Sequence, residues 1–459
     1  MILAVVLNLF PMSSAASEKM KKVNITLHQG KPGEASAFMA DIAQDFPWRS
    51  TLWEQAGNYA LQAGLDQDAI RYFLAADQRH ALSDQGRLSL GDAYLRSKDF
   101  VQATNSWQEI LKDGQESTEV FSRLADVYWS TGDIQQLREI YRQWVSFTPA
   151  DADIQYQYGL LLLTDNPDES VIHLNEAAQI DPELEAVVAT YLKVLKDSES
   201  VDNSAYRDLL IGRTLGQNGQ WLIARAAFEN AVKSSPEYAE AWAFLAEAHQ
   251  QLGEDGSGDL AKALKLNPDS VVVQALQALA LQRQGKAAEA LVYLHRIAQQ
   301  EPENPTWQVE LGNTMVSLGN LLEAFDYYQN AVSIDASCSI CWRALANFSL
   351  LYSMDINQTG LQAARQLVRL NPKDPEALDL MGQLLMAVKD WSTAERFILR
   401  AIELSPAYPE AHLHLGYLYL QQGKNQVAYT ELSEAEVLGK DTGTAQSARK
   451  LIQAYFLLP

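Results

Sequence analysis

Small residues recur along this chain at a fixed interval. Gly57, Gly91, Ala125 and Gly159 stand 34 residues apart, as do Gly212 and Ala246, then Ala278, Gly312 and Ala346, and finally Gly382 and Gly416. A second ladder, of alanines, runs in phase 12 residues further on: Ala35, Ala69, Ala103, Ala224, Ala290, Ala324, Ala394 and Ala428. A third ladder is made of prolines: Pro47, Pro149, Pro182, Pro236, Pro268, Pro302, Pro372 and Pro406. A period of this size restricts the fold more than any composition can. One short unit cannot bury its own apolar face, so copies must stack on one another.

Each ladder has a physical reason. Between the ladders the apolar residues follow helical spacing, and the family resemblance drawn below implies two antiparallel helices, A and B, per period. Gly or Ala at the eighth place lets helix B approach helix A closely, and the ladder alanine at the start of helix B lies at the same contact. Gly64, Gly132, Gly219, Gly285, Gly319 and Gly423 hold the fifteenth place, where a left-handed residue ends helix A. The prolines follow helix B, stopping it and suiting the next helix start.

Trp53 opens "WEQAG", Trp242 opens "WAFLA" and Trp342 opens "WRALA". Tyr94, Tyr128 and Tyr419 share a later place, and "HLHLGYLYLQQGKNQVAYTELSEAEVL" at 412–438 follows nearly a whole period. With the ladders, these residues resemble the tetratricopeptide repeat family over about residues 16–440. The resemblance implies an all-α, right-handed α-solenoid superhelix of about twelve helix–turn–helix repeats. Repeats would start near 16, 50, 84, 118 and 152, then 205, 239, 271, 305, 339, 375 and 409. The repeat at 239 is two residues short across "GEDGSG"; that at 339 is two long across "LYSMDINQTG".

Gly159 to Gly212 is 53 residues, 34 plus 19. The extra stretch holds one amphipathic segment, "ELEAVVATYLKVL", and a polar run, "KDSESVDNS". This predicts an N-terminal array at 16–183, a degenerate helix and linker at 184–204, and a C-terminal array at 205–440; the alternative is a superhelix that continues through the segment with only a local kink. Residues 441–459 read as a capping helix, with Leu451, Tyr455 and Phe456 over the last repeat's core edge.

Residues 1–15 contain an apolar run too short to span a bilayer, followed by small residues. They read as a signal segment that has lost its charged start, which favours a bacterial envelope or secreted setting over the cytoplasm; the alternative is a frayed, sticky N-terminus of a cytosolic protein. No other stretch could cross a membrane. The net charge of −22 opposes nucleic acid and favours a neutral or basic partner.

Cys338 and Cys341 are the two cysteines of the chain. In this register they straddle the start of a helix A, a place that lowers a thiol pKa. They can be plain repeat residues, a small structural disulfide if the protein is exported, or a redox pair. Trp342 stands where haem attachment needs His, and no second ligand pair exists for zinc. No His-Glu-x-x-His, phosphate loop or Gly-x-Ser-x-Gly elbow occurs, and His412 and His414 face different directions on a helix. No catalytic residue, metal ligand or cofactor site is expected.

The resemblance implies a non-enzymatic scaffold or adaptor that binds peptide or helical segments on the concave, helix-A face. Inward places include Trp129, Tyr156, Tyr206, Arg213, Asn313, Arg343, Asn347 and Tyr417. Aromatic anchors among a few polar groups suit peptide capture, although Trp129 and Tyr156 could equally pack between repeats. Arg343 and Asn347 match the first pair of the family's carboxylate clamp, but Leu380 departs from it. A small-molecule or glycan-binding solenoid and an accessory subunit of a separately encoded enzyme are the alternatives.

Overall fold

The computed structural model describes residues 13–199 and 203–457. Most of the expected signal segment lies outside them; its last residues, Ser13 to Ala15, cap and begin the first helix. Among the described residues there are 26 α-helices and no strand. They form an all-α array of tandem helical hairpins, twelve in number, plus a single helix and a final cap. The first helices of the pairs begin at Ser14, Ser50, Asp84, Thr118, Ala152, Ser204, Ala239, Val271, Thr306, Ser339, Pro375 and Pro409, in the register that the ladders set.

The packing explains the ladders. A methyl group at Gly91 would lie 2.2 Å from the Trp107 indole, and one at Gly212 would lie 2.4 Å from the Phe228 ring. All eight ladder alanines are fully buried. In every repeat but the one at Ala152, helix A ends in a left-handed residue, usually glycine; Lys98, Ser353 and Lys389 take that conformation in three repeats. The proline ladder has a further use. The side chains of Gln155, Trp242, Gln274 and His412 each meet the carbonyl of the proline six residues earlier, at 2.7–3.0 Å. Trp342 does the same to Ala336 at 2.8 Å. The fourth residue of helix A thereby closes the turn that precedes it.

The chain divides into two compact units, Met1–Asp255 and Gly256–Pro459. The division falls in the shortened "GEDGSG" turn, inside a repeat. The segment at 184–204, where the sequence places a break, belongs to the first unit. Its helix, Glu185–Glu199, sets Val188, Tyr191 and Leu195 into a core that runs from Leu88 to Ala248. One amphipathic face and no helix B are enough for it to be packed on one side. A second core, Ala16 to Ala93, serves the first repeats. The first unit also holds a contact that skips several helices: Arg225 reaches the Gly132 carbonyl and pairs with Glu254 at 2.7 Å.

In the second unit the main core spans Val309 to Ile452. The two added residues of the repeat at 339 are absorbed by a π-helical turn, Ile356–Gly360, entered through left-handed Asp355. The cap is helix Gly443–Ile452. Ile452 is buried, Leu451 and Phe456 are partly buried, and Tyr455 is exposed. Phe456 meets Tyr429 edge-on at 5.3 Å. The chain turns into a π-helical segment, Gln453–Leu457, at that point, which takes Tyr455 off the core face that Ile452 fills.

Candidate functional site

The eight inward residues fare differently. Trp129 and Tyr206 in the first unit and Tyr417 in the second are about two-fifths exposed. Arg213 lies over the Phe244 ring at 5.3 Å. Tyr156 is in the core, 6.4 Å from the Tyr191 ring. Its neighbours on the same face, Leu160 and Leu163, are fully buried. This repeat is followed by the single helix, so its inner face is consumed by packing. Arg343 is not available as a clamp: its guanidinium holds Asp374 at 2.5 Å and Glu376 at 2.9 Å. In the first unit Asp92 is likewise taken, bidentately, by Arg123.

Asn313 and Asn347 come together, one from each of two consecutive helices A. They line a cavity of about 300 Å³ in the second unit. Its floor is aromatic: Phe348 is buried, 5.1 Å from the Tyr328 ring and 4.9 Å from Tyr352. Val316 and Leu351 form apolar walls, and Leu351 is largely exposed. The Tyr328 hydroxyl donates to Asn313 Oδ1 at 2.7 Å and so fixes that amide. Burial pushes the Tyr328 hydroxyl up to about 12, so it stays a donor. Burial also raises Glu310, beside Asn313, above the ordinary carboxylate range. Asn347 is exposed and makes no side-chain hydrogen bond among the described residues.

The cavity can therefore offer amide groups and aromatic surface, without net charge. Asn313 and Asn347 were legible from the repeat register. Val316 and Leu351 hold inward places too, but they carry no chemical signature. Tyr352 sits where the repeat runs two residues long, and that slip was its only signal. His412 and His414 do point apart. His412 meets Glu431 at 2.7 Å, which holds the imidazole above its ordinary range, while His414 reaches the buried Asp379 at 2.9 Å. Cys338 and Cys341 are joined as a disulfide. Among the described residues no group of three or more His, Cys, Asp or Glu side chains could hold a metal ion. No described helix is long and apolar enough to cross a membrane.

The helix pairs define a class of repeat protein, and comparison with known families agrees. A family model described as tetratricopeptide repeat matches residues 209–269, 276–337 and 380–441. Over these residues the chain is a tetratricopeptide-repeat array. It is 26% identical over 219 residues to the peroxisomal targeting signal receptor of Saccharomyces cerevisiae, covering 45% of this chain and 35% of that one. It is 26% identical over 219 residues to protein O-mannosyl-transferase TMTC3 of Homo sapiens, covering 46% and 24%. The match thus spans about a third of the first relative's length and a quarter of the second's. Among solved structures, yeast Tom70 overlaps 96% of this chain and 95% of its own, with a TM-score of 0.43 and 14% identity.

Proposed function

We propose that the protein is a non-enzymatic interaction scaffold that captures an uncharged segment of a partner protein between Asn313 and Asn347. The observation that carries this is the chemistry of the cavity: two amides over an aromatic floor, on a chain of net charge −22. Peptide groups are hydrogen-bonded by amides, and apolar side chains by contact with Phe348, Val316 and Leu351. Exposed Tyr417 extends the same helix-A face two repeats further along the chain.

Retention of a partner from host extract tests this. The full chain should hold a small set of proteins that an Asn313→Ala, Asn347→Ala variant loses, with helicity by circular dichroism unchanged. Arg343→Ala should hold the same set, because that side chain is engaged by Asp374 and Glu376. Equal retention by all three proteins would refute the assignment of the cavity. We further place the protein in an oxidising envelope or secreted compartment. The Cys338–Cys341 disulfide supports this, since cytosolic thiols are kept reduced. Recovery of the protein in the cytosolic fraction of its native host would contradict it.

A further inference from the structure

We propose that Cys338 and Cys341 form an exchangeable dithiol–disulfide pair that oxidises thiols of a partner, with Cys338 as the sulfur that is attacked. Three observations support it, and none depends on the scaffold function.

The first is that the fold does not need this bond. The turn before helix A is built in other repeats without cysteine, and Trp342 already closes this one onto Ala336. The matching places hold Ser270 and Val273 in one repeat and Asp374 and Ala377 in another. A bridge that closes so short a loop removes little entropy from the unfolded chain.

The second is the unequal setting of the two sulfurs. Cys341 takes the place of a buried small residue and is fully enclosed, whereas Cys338 is only partly buried at the helix N-cap. Ile340 between them is about two-thirds exposed, an apolar contact for an incoming chain.

The third is the hydrogen bonding. The Cys341 backbone N–H donates to Cys338 Sγ at 3.2 Å. This bond and the helix N-terminus both favour a thiolate at Cys338 once the pair is reduced. The nearest carboxylate in sequence, Asp335, is engaged by the Ser337 hydroxyl and N–H at 2.7 and 2.8 Å.

The exchange is balanced. A partner thiolate attacks Cys338 Sγ, a mixed disulfide forms, and the electron pair of the broken S–S bond leaves on Cys341, which takes a proton from water. A second thiolate of the partner then attacks the partner's own sulfur and releases Cys338. The partner's dithiol is oxidised to a disulfide, and the Cys338–Cys341 pair is reduced to two thiols.

Glutathione is the probe. With oxidised glutathione, a Cys341→Ser chain should gain one glutathione at Cys338, seen by intact mass, and a Cys338→Ser chain should react at least about tenfold more slowly. Equal rates, or faster reaction of Cys338→Ser, would overturn the assignment. A second measurement covers misfolding of either variant. The oxidised wild-type chain is exposed to reduced glutathione, then partly alkylated and peptide-mapped. Opening of the disulfide in the folded chain, with Cys338 alkylated first, is expected. A disulfide that opens only in urea would make it purely structural and end the proposal.

Discussion

The fourth residue of helix A shows how one side chain can serve a whole repeat. In five repeats its N–H groups close the preceding turn onto a carbonyl six residues back. Trp53 occupies the same place, but its Nε1 is buried without a partner. Trp342→Phe should therefore destabilise by about 1 kcal/mol more than Trp53→Phe, the worth of one net hydrogen bond, in urea titrations of the two variants. Asp208 holds the place in the repeat at 205 and brings no N–H. It is buried, its Oδ1 lacks a partner, and burial pushes its carboxyl up to about 6. Asp165 pushes in the same direction and Arg207 opposes it. The folded chain thus keeps a proton that the unfolded chain releases near pH 4. Stability falls as pH rises from about 4 to about 6, by roughly 3 kcal/mol. Asp208→Asn should remove that fall and be the more stable protein at pH 8; equal slopes between pH 4 and 7 for the two proteins would contradict the assignment.

At the scale of the helix pair, glycine does two different jobs, and substitution separates them. Gly212 is the contact between helices, with the Phe228 ring where a methyl would go. Gly219 ends helix A at a φ of 76° with open space around it. Gly212→Ala must displace an aromatic ring in a filled core and should cost about 1–3 kcal/mol. Gly219→Ala pays only for the left-handed backbone, about 1 kcal/mol. Chemical denaturation should rank them in that order. The single helix Glu185–Glu199 shows the converse, a half-repeat that still finds a place because Tyr191 and Val188 complete the core that Tyr156 begins.

Across the whole molecule, charge and binding surface separate. A net charge of −22 repels itself, so thermal unfolding should move upward as sodium chloride rises from near zero to about 0.15 M. The Asn313–Asn347 cavity carries no net charge, so capture of its partner should change little over the same range. A steep loss of capture with salt would point instead to a basic partner on the acidic surface. Repeat arrays are usually coupled only between neighbours. The first unit departs from that, since Arg225 reaches Gly132 from nearly a hundred residues away.

The sequence alone determined the class, the helix starts and the small residues at helix contacts, because a periodic array repeats one local solution and local spacing is written in the chain. It also placed Asn313 and Asn347 on one face. Which inward residues remain available was decided by tertiary structure. Tyr156 and Arg343 follow the same register as Asn347, yet one is sealed by Tyr191 and the other is held by Asp374 and Glu376. Each loss comes from a partner 31 to 35 residues away in sequence, on another helix. Burial and pairing across helices are set by how repeats stack. That the chain divides at Asp255–Gly256, and not at 184–204, was set by packing that no single period encodes.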